Sequence, residues 1–109
     1  MHSGAELIAT ERQRQMDVEG WTAQHDACHD CGELCVAAAA YLKDANISAL
    51  SKKFPSQYFG APLIPYNWPW DVRWWKPSND PIRNLVKAGA LIAAEIDRIQ
   101  SLNRNGDAR

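Results

Sequence analysis

No stretch of the chain alternates apolar and polar residues as a half-buried strand would, so a sheet is not expected. Long apolar runs are missing too. The longest, Val36 to Leu42, falls far short of the roughly 20 residues a membrane-spanning helix needs. Charge of one sign is scarce: 12 Lys and Arg against 13 Asp and Glu leave a formal net charge of −1, which gives no global pull toward nucleic acid or an anionic membrane. The start lacks the basic-then-apolar pattern of a secretory leader. Only three cysteines occur, Cys28, Cys31 and Cys35. An odd number so closely spaced argues against a secreted disulfide framework and for a reducing cytosol. A length of 109 residues fits one domain with one modest core.

What is present reads as helix. The first candidate spans Ala5 to Glu19, with Leu7, Ile8, Glu11, Arg14, Gln15 and Val18 on one broad stripe and Gly20 ending it. Glu11 and Arg14 are unusual company for Leu7 and Val18. A second helix is expected from Ala23 to Asp44, capped by Thr22, with Ala27, Cys31, Leu34, Cys35, Ala38, Tyr41 and Leu42 facing the core. Ser48 to Lys53 reads as a separate short helical turn. The last helix has the strongest pattern. Asn79 or Asp80 caps it and Pro81 takes its first position. Ile82, Leu85, Val86, Gly89, Ile92, Ala93 and Ile96 form the predicted inward stripe, which continues to about Leu102, and Arg83, Lys87, Glu95 and Arg98 point away. Gly89 predicts a close approach to another helix, the alanine-rich second one being the natural partner. The ends, 1–4 and 104–109, are expected to fray.

Between Asn46 and Asp80 no period persists. Five of the six prolines and four of the five tryptophans lie here, too apolar a mix for a disordered linker. Three helices of these lengths leave one side of the core open. Trp68, Trp70 and one of Trp74 and Trp75 are expected to close it, because adjacent residues cannot easily both face inward. The fold expected is therefore all-α: three main helices in a single domain over 1–109, with a long ordered Trp/Pro-rich loop packed on the bundle.

The chemically loaded segment is "HDACHDCGEL". His25 and His29, four apart, look like a zinc-protease helix with Asp26 in place of its glutamate, but the sequence names no third ligand. Glu33 lies roughly 12 Å along the helix from His25 at 1.5 Å per residue. The acids favour a harder cation: Asp26, Asp30 and Glu33 fall on one side of a continuous helix, and Mg²⁺ needs only one or two carboxylates plus phosphates. A solvated acidic face is the competing reading. The cysteines read as buried thiols. Arg73 and Lys76 sit among the tryptophans, where a cation beside a ring serves either phosphate and base binding or plain packing.

The order "ERQRQ" (11–15), "EGWT" (19–22), "HD" (25–26), His29, "GEL" (32–34), "WPW" (68–70), "WWKP" (74–77) and "LVKAGALIAAEIDRI" (85–99) resembles a family of small proteins of tailed phages, prophages and proteobacterial genomes. A weaker resemblance is to the MazG-like all-α nucleoside triphosphate pyrophosphohydrolases, with "DACHDCGEL" similar to their first acidic helix. That resemblance implies Mg²⁺ on Asp26, Asp30 and Glu33. The second acidic helix departs: Asn84 and Lys87 stand where acids would be expected.

The function expected is binding of a nucleotide or related phosphorylated metabolite, in the cytoplasm of a bacterial host, by a degenerate MazG-like pyrophosphohydrolase. His25 or His29 would orient or deprotonate water. Glu11, Arg14, Arg73 and Lys76 would face the ligand, and Trp70 or Trp74 would stack on the base. The alternative is a non-catalytic binder that sequesters a host-defence nucleotide signal or blocks a host protein. Self-association into a homo-oligomer is the third expectation, and a membrane is not an expected partner.

Overall fold

The computed structural model describes residues 1–20, 32–53, 65 and 67–104. Three helices make the architecture: α1 (Gly4–Glu19), α2 (Glu33–Lys53) and α3 (Pro81–Arg104), with a short 3-10 turn at Val72–Trp74. No strand occurs among the described residues. The protein is all-α. Both α1 and α2 pack on α3 and not on each other, so α3 is the central helix. No helix among the described residues is long and apolar enough to cross a membrane.

Local chemistry sets the ends. Ser3 accepts from the Glu6 backbone N–H while Glu6 accepts from that of Ser3, a capping box that starts α1 at Gly4. Gly20, in the left-handed region at φ 72°, ends it. Asp80 caps α3 by accepting from the Ile82 N–H at 3.0 Å, and Pro81 takes the first helical position as expected. Gly32 also has a positive φ, 83°. That left-handed residue overturns the continuous Ala23–Asp44 helix: α2 begins at Glu33 and runs on to Lys53, absorbing the separate turn expected at 48–53. Nothing from Asp44 to Lys53 is glycine or proline, so nothing stops the helix there.

The core is built from small residues. Leu34, Ala37, Ala38 and Tyr41 of α2 meet Ala88, Leu91 and Ala94 of α3. Alanine on both sides lets the two backbones approach, and Leu34, Leu91 and Tyr41 are the larger side chains buried between them. Trp68, Trp70 and Trp75 pack against this cluster from the aromatic segment. A polar pin holds the same region. Asn84, fully buried, donates to Asp44 Oδ2 at 2.9 Å and to the Ser78 carbonyl, and accepts from the Ser78 N–H. It ties α2, α3 and the end of the aromatic segment together.

Several expected faces are corrected. On α3, Ile82, Leu85, Ile92 and Ile96 are exposed, Ile82 by 59 %, and of the predicted stripe only Val86 is buried. Arg98, expected to point outward, is buried and bonded to Glu95. The helix is turned because its contacts need short side chains, and isoleucines would hold the neighbours apart. On α2, Cys35 and Leu42 are exposed rather than buried. They sit about 100° round the helix from the Leu34, Ala38, Tyr41 line. On α1, Val18 is exposed and the buried side chains are Glu11, Arg12 and Gln15. Gly89 faces Ile8 of α1, not the alanine-rich helix: a Cβ there would lie 2.6 Å from Ile8 Cδ1.

That contact is directly testable. Gly89→Leu should destabilise the fold by about 1–3 kcal/mol through overpacking, read as a lower urea midpoint. Adding Ile8→Ala should recover part of the loss. Full additivity of the two substitutions would refute the contact.

Candidate functional site

Two ion pairs cross the α1–α3 contact, Arg12 with Asp97 and Arg83 with Glu11. Arg12 donates to Asp97 Oδ2 at 3.2 and 3.3 Å. The neighbouring residue, Glu11, is 2 % exposed, and its carboxylate is fully engaged. Arg14 forms a two-pronged pair with it, both bonds 2.9 Å. Arg83 of α3 donates to Oε1 at 2.6 Å, and Gln15 Nε2 donates to Oε2 at 3.0 Å. Burial pushes the Glu11 pKa up, but the hydrogen bonds and charges of Arg14 and Arg83 outweigh it and hold the carboxyl below the ordinary range. Arg14 also reaches Glu19 Oε2 at 2.9 Å, and its pairing with Glu11 raises its own pKa.

Beside this cluster the aromatic segment folds over the helices. Trp68 Nε1 donates to the Asp71 carbonyl at 3.1 Å. The Asp71 side chain caps the 3-10 turn through the Arg73 N–H. Tyr41, Trp68, Trp70 and Trp75 form a cluster of tilted and edge-to-face rings: Tyr41 and Trp75 centroids lie 4.8 Å apart, Trp68 and Trp75 5.0 Å, and Trp68 and Trp70 5.5 Å edge to face. Trp74 is the ring left outside, 40 % exposed, with Arg73 at 5.4 Å and Lys76 at 5.3 Å from its centroid.

Between the charged cluster and the rings lies a narrow cleft, partly open to solvent, with an internal volume of about 40 Å³, room for a few waters, so a larger ligand would lie across its mouth. Of the residues named from sequence, Glu11, Arg14, Trp70, Trp74 and Lys76 all line it. Arg73 does not; it packs on the outer side with Asp71 and the Trp74 ring. Sequence reasoning missed Gln15, Glu19, Tyr41, Trp68, Lys87 and Leu91, which complete the lining. Lys87 was expected to point away. Its ammonium instead donates to the Lys76 carbonyl at 2.5 Å and lies 5.4 Å from the Tyr41 ring centroid. Burial, followed by the charge of Arg83, lowers its pKa. The signal that could have found it is the spacing Arg83, Lys87, four apart on the helix face shared with Ala94, which is turned inward. Tyr41 accepts from the Lys76 N–H at 3.2 Å, and burial raises its pKa.

The lining sets three cations, Arg14, Lys76 and Lys87, against two carboxylates, Glu11 and Glu19, and Glu11 is further offset by Arg83. Chemically, the cleft offers cationic donors on one side and ring faces on the other. His25, His29, Asp26 and Asp30 lie outside the described residues, as do Cys28 and Cys31. Glu33 is described, in the first turn of α2, on the stripe it shares with Ala37 and Tyr41 and roughly 12 Å along the axis from Tyr41. Among the described residues no group of three or more His, Cys, Asp or Glu side chains gathers as a metal site would. Glu11 is committed to its arginines, so its carboxylate is not available as a ligand without breaking the α1–α3 contact. No protein-family model, curated protein or solved structure matches the chain.

Glu11→Gln should destabilise the protein by about 2–3 kcal/mol at neutral pH, the scale of lost charged hydrogen bonds; two partly exposed arginines that can recover water keep the loss below the cost of a fully buried break. The pH signature follows from the depressed pKa. Stability from Glu11 is present above the ordinary carboxylate pKa and is lost as pH falls through its folded value. Chemical denaturation across the acid range should show a shallower acid limb in the variant than in the parent. Equal slopes would contradict the pairing.

Proposed function

We propose that the chain binds a nucleotide or a related phosphorylated metabolite across the mouth of the narrow cleft between α1 and the aromatic segment. The observation that carries this reading is the convergence of Arg14, Lys76 and Lys87 with Tyr41, Trp70 and Trp74 on one cavity. Phosphates take cationic donors, and a base takes ring faces. Trp74, exposed and flanked by Lys76, is the stacking ring reachable from solvent, and Trp70 is the inner one.

The enzymatic form of this reading is a degenerate MazG-like pyrophosphohydrolase of phage type, acting in the cytoplasm of a bacterial host. It rests on the sequence resemblance. Asp26, Asp30 and Glu33 would hold Mg²⁺, which supplies charge neutralisation at the phosphates. His25 or His29 would take the proton of an attacking water. Water adds to the α-phosphorus, the bond to the bridging oxygen breaks, and pyrophosphate leaves with the β-phosphate oxygen. Incubation of the pure protein with each deoxynucleoside triphosphate and Mg²⁺ should release the monophosphate and pyrophosphate, and Asp30→Ala should abolish the release. No turnover of any nucleotide, with Asp30→Ala indistinguishable from the parent, overturns the enzymatic form. A nucleotide bound stoichiometrically and recovered intact supports a non-catalytic binder that sequesters a host-defence signal. Co-purification of a host protein on the Trp74 and Arg73 surface supports the form that blocks one.

A second reading, self-association, is favoured by the uncovered face of α3. Ile82, Leu85, Ile92, Ile96 and Ile99 form an exposed stripe on the side away from the cleft. Burying an aliphatic side chain contributes roughly 1.5–3 kcal/mol when complete, so a second copy laid on this stripe would gain substantially. Light scattering coupled to size exclusion should show a dimer, converted to monomer by Ile92→Glu with Ile96→Glu. A parent that remains monomeric at high micromolar concentration removes this reading.

A further inference from the structure

The exposed aliphatic side chains of α3 follow the rhythm of helix pairing. Ile82, Leu85, Ile92, Ile96 and Ile99, each 43–59 % exposed, fall with Gly89 on alternating spacings of three and four. Those are the a and d positions of a helix that packs lengthwise on another. Gly89 is the position without a side chain, and Ile8 of α1 packs on it, so the stripe stays apolar along its length. None of its positions is charged, which leaves a nucleic acid or a charged peptide nothing to pair with.

The two ends of the stripe differ in shape. At the N-terminal end, Leu85 also lines an open groove between α2 and α3, together with Pro81 and with Leu42, Ala45 and Ala49 of α2. Alanines leave that groove unfilled. At the C-terminal end, Ile96 and Ile99 carry bulky exposed side chains. A hollow and a ridge at opposite ends of one helix complement each other when a second copy runs the other way, in an isologous two-fold contact. Two copies running the same way would set groove against groove and ridge against ridge.

We propose that two copies of the chain pair α3 on α3 in antiparallel orientation about a two-fold axis, with Ile96 and Ile99 of each copy seated against Leu85 and the α2–α3 groove of the other. This rests on the reading that the chain self-associates, and adds the orientation and the seat. The spacings are symmetric about the middle of the stripe, so Ile82 meets the partner's Ile99 and Leu85 meets the partner's Ile96 in one register. With Leu42, 52 % exposed, the paired side chains bury on the order of 1,000 Å² over the two copies, the size at which an interface becomes specific.

Two variants read the orientation. Leu85→Glu and Ile96→Lys each place a charge in the apolar contact at a position exposed in the single chain. In analytical ultracentrifugation, each variant alone should be monomeric at a concentration where the parent is a dimer. Mixed in equal amounts, they should associate at least about tenfold more tightly than either does with itself. The antiparallel register sets the new carboxylate against the new ammonium and leaves the second Leu85–Ile96 contact intact. On the unaltered chain, isotope-filtered NMR of a mixed-label sample should show an intermolecular contact between Leu85 and Ile96 methyl groups. A parent dimer whose variants fail to rescue each other, or whose methyl contacts join Leu85 to Leu85 and Ile96 to Ile96, overturns the antiparallel seat and leaves self-association standing. A parent that stays monomeric at high micromolar concentration overturns both.

Discussion

The buried carboxylate of Glu11 is the contact on which the arrangement depends. Taking a carboxylate out of water costs several kcal/mol. The cost is offset only because two guanidinium groups and an amide reach it together. Arg14 comes from the same helix and Arg83 from α3, so satisfying one charge also fixes α1 against α3. The buried side chains of α1 are Glu11, Arg12 and Gln15, and Ile8 packs on Gly89 of α3. The polar cluster therefore sets the register that a larger core would otherwise set. The same cluster turns Arg14 toward Glu19 and holds Gln15 at the cleft, so fold and candidate site share one interaction.

The aromatic segment does the complementary work. Small residues let α2 and α3 approach but bury little volume, and three indoles supply it from outside. Trp68, Trp70 and Trp75 pack on the core, and Tyr41 connects them to α2. Among the described rings of the segment, Trp74 is the exposed one, beside Arg73 and Lys76. Trp74 ends the 3-10 turn and Trp75 follows it in extended backbone, from where its ring packs on the core.

Much of this was legible in the sequence. The all-α class, the α1 limits, the Asp80–Pro81 start of α3 and the division of labour between Trp74 and Trp75 follow from capping, period and adjacency. The odd mixture of Glu11 and Arg14 with aliphatics was visible as a stripe, and it marks the buried polar hub. The facing of α3 was not legible. Its strongest hydrophobic stripe, through Ile82, Ile92 and Ile96, is exposed, because close packing selected the alanine side that a hydrophobicity pattern ranks lower. The break at Gly32 was hidden by the helical composition on both sides of it. Lys87 and Gln15 were missed as cleft residues for the same reason as the α3 face: each depends on which side of a helix is turned inward, and neighbours decide that. The His and Asp residues of 25–30 lie outside the described residues, so the metal reading still stands on sequence resemblance.

The central claim is that Glu11 is ionised in the interior because Arg14 and Arg83 hold it. A pH titration of the Glu11 side-chain carboxyl by carbon-13 NMR tests this most directly. The account predicts a midpoint below the ordinary glutamate range, rising when Arg83→Met removes the partner on α3. A midpoint at or above the ordinary value in the parent, unmoved by Arg83→Met, would contradict it.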